Sequence, residues 1–117
     1  MAYSKLAKAQ WEAFFEAVFN ALDGKLVTLK IVGPEVTVQI EGDQLSLTVM
    51  AYDRKEDVVY VEARYVETHS SAASHILHSV LSPQEIYVDI GDMGLEQMLI
   101  VDGGGRQQFV RLKRLDE

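Results

Sequence analysis

Residues Lys25 to Tyr65 read KLVTLKIVGPEVTVQIEGDQLSLTVMAYDRKEDVVYVEARY, and the period of this stretch decides the fold. Val27, Leu29 and Ile31 alternate with Thr28 and Lys30. Val36, Val38 and Ile40 alternate with Thr37, Gln39 and Glu41. Leu45, Leu47, Val49 and Ala51 alternate with Ser46, Thr48 and Met50, and Val59, Val61, Ala63 and Tyr65 with Tyr60, Glu62 and Arg64. Successive side chains of an extended strand point to opposite faces, so a period of two predicts a sheet that buries one face and wets the other. Gly33-Pro34, Gly42-Asp43 and the charged run Asp53 to Asp57 separate these segments as turns. Four strands with such short connections predict an antiparallel meander.

On the N-terminal side the period changes to that of a helix. Over Tyr3 to Asp23, Trp11, Phe14, Phe15, Val18, Phe19 and Leu22 recur at spacings of three and four, while Lys5, Lys8, Glu12, Glu16 and Asn20 fall largely between them. Ser4 is the expected N-cap and Gly24 the expected left-handed C-terminal stop. Such an aromatic stripe reads as core or as core plus a subunit interface. On the C-terminal side, Val66 to Ser82 breaks the pattern; a short helix, a short strand and an ordered loop all fit it. After Pro83 the alternation resumes in Ile86, Val88 and Ile90, then Gln97 to Asp102, then Arg106 to Lys113. Gly91 to Gly94 is read as a loop. Gly103-Gly104-Gly105 joins the last two strands as a hairpin, since glycine takes the positive φ of tight reversals. Helices do not alternate with strands, which disfavours a doubly wound parallel sheet. The expected fold is therefore α+β: residues 1–117 as a single domain, with an N-terminal amphipathic helix packed on a curved, mainly antiparallel sheet of about seven strands that can curl into a partial barrel.

Composition narrows the function. The 117 residues carry a net charge of −7, which repels phosphate backbones and argues against general nucleic-acid binding. The local exception is a basic cluster of Arg106, Arg111, Lys113 and Arg114, of which Arg111 and Lys113 share one strand face. There is no cysteine, so disulfides and thiolate metal sites are excluded. Neither a signal-peptide core nor an apolar run long enough to cross a bilayer is found, and a cytoplasmic, non-membrane protein is expected.

Few residues suggest chemistry. His69, His75 and His78 lie in the irregular stretch, and on a helix the last two would share one face. With a carboxylate such as Glu67 they form a candidate metal site, although their spacing matches no specific zinc motif. Ser70, Ser71, Ser74 and Ser79 surround them without a nucleophile elbow. The triple glycine leads into a strand and lacks the Lys-Ser or Lys-Thr of a phosphate loop. No cofactor motif is present, and the carboxylates fall mainly in turns. Met50, Tyr52, Val58, Tyr60 and Tyr87 sit by alternation opposite the aliphatic rows, and such an apolar second face predicts a homodimer, a binding groove or a two-sided core.

The order of landmarks resembles a bacterial family of small domains of unknown function. The likeness is carried by Trp11-x-x-Phe14-Phe15, Gly24, Val27-Thr28-Leu29, Val32-Gly33-Pro34-Glu35, Leu45-x-Leu47 and Asp57-Val58-Val59-Tyr60. It continues in His75-x-x-His78, Ser82-Pro83-Gln84-Glu85-Ile86 and the hairpin from Leu99-x-Val101-x-Gly103 to Phe109. The triple glycine and the serine-rich insert depart from it. The resemblance implies a stand-alone domain and carries over no functional residue. The expected function is a non-catalytic binding or protein-interaction domain acting as a homodimer or with a protein partner. The alternative is a metal- or small-ligand-binding protein, or an enzyme, that uses His69, His75 and His78.

Overall fold

The computed structural model describes residues 3–22, 25–33, 39–65, 75–91 and 94–114. It corrects the α+β expectation. The described chain is mainly sheet, with a single short α-helix and eight strands rather than about seven. The strands are β1 (Ser4–Leu6), β2 (Leu26–Val32), β3 (Gln39–Asp53), β4 (Val58–Tyr65), β5 (His75–Leu81), β6 (Pro83–Gly91), β7 (Gly94–Asp102) and β8 (Gln107–Arg114). The helix α1 spans Trp11–Leu22 and follows a 3₁₀ turn at Lys8–Gln10. All strands join one antiparallel sheet in the order β1-β6-β7-β8-β2-β3-β4-β5. The sheet is open, but it coils: His78 on the edge strand β5 hydrogen-bonds Gln108 on β8, with β4, β3 and β2 between the two strands in the sheet.

Each difference from the sequence expectation has a local cause. Ser4 to Leu6 do not begin the helix. They pair with Val88, Tyr87 and Ile86 on the otherwise open side of β6, so Ser4 is a strand residue and caps nothing. The indole Nε1 of Trp11 donates to the Leu6 carbonyl (3.1 Å), which ties the end of β1 to the first helical turn. Gly24, the expected helix stop, lies outside the described residues, as do Val36 and Val38 of the expected second strand.

Gly42-Asp43 is not a turn either. β3 runs through it as one strand of 15 residues. The pairing with β2 slips by one between Val27↔Leu45 and Leu29↔Gly42, and Gln44 takes a φ of 54°. This is a β-bulge, which bends a strand without ending it. A second bulge changes which side chains are core. Leu47 faces Ala63 and Val49 faces Glu62, so Thr48 is the extra residue, and its hydroxyl donates to the Glu62 carbonyl (3.0 Å). Beyond it the alternation inverts. Met50 and Tyr52 turn inward and are buried, whereas Val49 and Ala51 are only half-buried. The expected apolar second face thus loses two of its five members to the core; Tyr60 and Tyr87 remain half-buried outside it.

The core lines the inner face of the coil. Val27, Leu29 and Ile31 of β2 meet Val59 and Val61 of β4, Ile86 of β6, Met98 and Ile100 of β7, and Val110 and Leu112 of β8. Helix α1 packs against β3. Trp11 and Phe15 are its two fully covered side chains, and the Trp11 ring stands edge-on to Tyr52 with centroids 5.1 Å apart. The charged turn at Asp53 to Asp57 forms as expected, with Asp53 Oδ1 accepting the amides of Lys55 and Glu56. So does the triple-glycine hairpin. Gly105 holds a φ of 80°, and the carboxylate of the buried Asp102 accepts the amides of Gly104 and Arg106.

Candidate functional site

The two wide ends of the coil differ. At the end near the glycine hairpin, the inner faces of β5 and β8 are drawn together. His78 Nε2 donates to Gln108 Oε1 across 2.5 Å, and both residues are half-buried. At the opposite end, helix α1 covers β3 but leaves a groove of about 720 Å³ between itself and the end of β6, the start of β7 and the end of β8. That volume falls in the range of sites for small organic molecules.

The groove follows from the spacing of α1. Trp11 and Phe15 take the side of the helix that seals the core; Phe14, Val18 and Leu22, on the next stripe, are only half-buried and form one wall. Ala17 and Ala21, four residues apart on the same side of the helix, add no bulk. Ile90, Leu95 and Leu112 form the facing wall, and Ile90 is 58% exposed there. The Glu96 carboxylate lies where a side chain at position 91 would have to sit, so only glycine fits without moving it.

The electrostatics are set by β8. Among the described residues, Arg111, Lys113 and Arg114 all contribute to the groove, against one acid, Glu96. The basic cluster expected from the sequence is therefore divided by the fold. Arg106 is engaged in the hairpin, its Nε 3.3 Å from Asp102 Oδ2. Arg111 reaches Gln97 Oε1 at 3.4 Å, and Arg114, by alternation with Leu112, is on the inner side. Among the described lining residues, cations therefore outnumber acids.

Elsewhere, burial and a hydrogen bond to Asp57 (2.7 Å) push the Tyr52 hydroxyl up to about 12. At the outer face of β1 the Lys5 ammonium meets Glu85 at 3.0 Å. That hydrogen bond and its charge raise the lysine pKa and lower that of the glutamate.

The histidines are placed differently from the helical reading. His75 and His78 lie on strand β5, where a separation of three puts them on opposite faces. His75 is exposed on the outer face, and His78 is on the inner face opposite Val61. His69 lies outside the described residues. Among the described residues no three acidic or histidine side chains are grouped as metal ligands. Ser79 is exposed on β5; Ser70, Ser71 and Ser74 lie outside the described residues. The residues that shape the groove, Val18, Leu22, Ile90, Leu95 and Leu112, read in the sequence as ordinary core. The available signal was the pair Ala17 and Ala21: a helix with six large apolar residues but small neighbours on one side cannot close that side against a sheet.

Comparison with known proteins bears out the resemblance. The family of unknown function DUF5335 matches residues 2–117, and the chain belongs to it. An uncharacterized protein of Aquifex aeolicus (strain VF5) is 32% identical over 113 residues, covering 97% of this chain and 94% of that protein. The relative is bacterial, and neither comparison assigns an activity. No helix among the described residues is long and apolar enough to cross a membrane.

Proposed function

We propose that this member of the family is a non-catalytic binding domain whose ligand is a small apolar molecule bearing an acidic group. The observation that carries this reading is the groove beside α1, apolar on both long walls and cationic along β8. Phe14, Val18, Leu22, Ile90, Leu95 and Leu112 favour a hydrocarbon or ring system by removing it from water, at roughly 25 cal/mol per Å² of apolar surface. Arg114, which alternation places on the groove side of β8, supplies the charge that selects a carboxylate or sulfonate over a neutral head. A cytoplasmic setting fits the reading, because a chain without cysteine draws nothing from an oxidising compartment.

The test uses anilinonaphthalene sulfonate as a fluorescent probe, with decanoate and decanol as competitors. Saturable binding at one site is expected, with decanoate displacing the probe better than decanol. Ala17→Trp, a change at an exposed helix position, fills the groove and lowers probe affinity at least about tenfold while the melting temperature is kept. Arg114→Gln abolishes the preference for decanoate. Non-saturable binding, or binding indifferent to Ala17→Trp, removes the proposal.

A further inference from the structure

The outer edge of β5 points to a second site, of a different kind. β5 is the last strand of the sheet, and among the described residues no strand pairs with its far side. Natural edges are guarded against pairing by shortness, charge, proline or a bulge. β5 has none of these. It runs for seven residues, its sequence HILHSVL contains no Lys, Arg, Asp or Glu, and it pairs with β4 through seven successive positions without a slip. On its outer face stand Leu77 and Leu81, 60% and 67% exposed and the most exposed large apolar side chains among the described residues.

From this we infer that β5 pairs with β5 of a second copy, antiparallel, about a two-fold axis at Ser79. The register follows from the spacing of the two leucines. They lie four residues apart on one face with Ser79 midway, so an axis at Ser79 sets each Leu77 opposite Leu81 of the second copy. It sets Val80 opposite His78 on the inner face. The interface is then isologous, as closed dimers require. Each new leucine pair extends a row that continues on β4 through the buried Val58 beside Leu81 and ends on the other side at Glu62 beside Leu77. A chain of net charge −7 resists self-association in general, yet along β5 no like charges meet across the axis. An axis at Ser79 pairs residues 77–81, five per strand or only ~17 Å, and one strand pair with four leucines falls at or below the lower end of stable interfaces, about 1,200 Å². The dimer is accordingly a reversible one, formed in the micromolar range.

Sedimentation analysis of the full chain from about 1 to 500 µM should show a monomer–dimer equilibrium. Leu77→Lys weakens it at least about tenfold, because the lysine would be buried against leucine, and leaves the melting temperature of the monomer in place. The register is read separately. The protein has no cysteine, so in Ser79→Cys the only thiols are the two at the axis, close enough to form a disulfide under mild oxidation. Leu77→Cys puts its thiols four residues out of register and stays uncross-linked. A monomer at every concentration overturns the inference, as does a dimer that tolerates Leu77→Lys or cross-links at 77 in preference to 79. Pairing with a different protein's strand would appear as a monomer in the pure sample and counts against it.

Discussion

At one edge of the sheet β1 contributes three residues, carries Lys5, and is pinned from behind by the Trp11 indole. At the other, β5 contributes seven residues with no formal charge, and two leucines stand in water. β1 is a strand made safe. It is too short to template another chain, its lysine is paired to Glu85, and its end is held by the helix. Among the described residues, β5 is a strand left open. Both edges belong to one sheet, so the difference lies in the residues: protection is a property of particular side chains, and its absence at β5 is the observation on which the proposed pairing rests.

The largest way to break the contrast is at its anchor. Trp11→Ala removes a side chain that is 1% exposed and leaves the Leu6 carbonyl without its donor, and it should cost ~3–5 kcal/mol in a urea titration. Phe15→Ala, also fully covered, should cost a similar ~3–5 kcal/mol. The two variants separate in hydrogen exchange. Only the Trp11 change should free the β1 amides ahead of the rest of the sheet, and equal protection of β1 in both would mean that the helix does not hold that edge.

A smaller effect runs through Tyr52, which Trp11 touches. Tyr52→Phe deletes the hydrogen bond to Asp57 and should cost about 1 kcal/mol. The folded-state pKa of this tyrosine, about 12, is above its ordinary value of 10. The protonated form is therefore favoured by folding. Its contribution is complete below pH 10 and is lost as pH rises through about 12. Urea midpoints should fall over that window in the parent protein and fall less in Tyr52→Phe. An identical decline in both assigns the alkaline loss to other groups.

The smallest effects are at the two edges themselves. Leu77→Lys should change monomer stability by no more than about 0.5 kcal/mol, since its side chain is mostly exposed. The pair Lys5 and Glu85 is solvent-screened, so Lys5→Ala should leave the urea midpoint unmoved at neutral pH. A large loss there would mean that the ion pair, and not the indole, secures β1.

How much of this could be read from the residues depends on which interaction decided each feature. Val27, Leu29, Ile31, Val59 and Val61 alternate cleanly and point where alternation says they should. Met50 and Tyr52 do not, because one bulged residue, Thr48, inverts every side chain after it, and a bulge has no reliable signature in a period-two pattern. Ser4 to Leu6 look like the start of a helix, and only the vacancy beside β6, some 80 positions away, makes them a strand. The same limit applied to the sites. His75 and His78 look like partners at helical spacing and part company on a strand. The groove was hidden because its walls are ordinary leucines, isoleucines and phenylalanine, distinguished only by what fails to cover them.

The ladder between β2 and β8 has a consequence for how the protein is made. It joins Val27–Val32 to Phe109–Arg114, nearly the whole length of the chain apart, and it is the only ladder that links the β2–β5 meander to the β6–β8 meander among the described strands. On the ribosome β2 is finished some 80 residues before β8, its second neighbour, roughly ten seconds earlier at ~5–20 residues per second. Until β8 is made, the β2–β5 meander has two open borders among the described strands, β2 and β5. The first is closed when β8 arrives; the second is closed, on the inference above, by meeting another finished molecule.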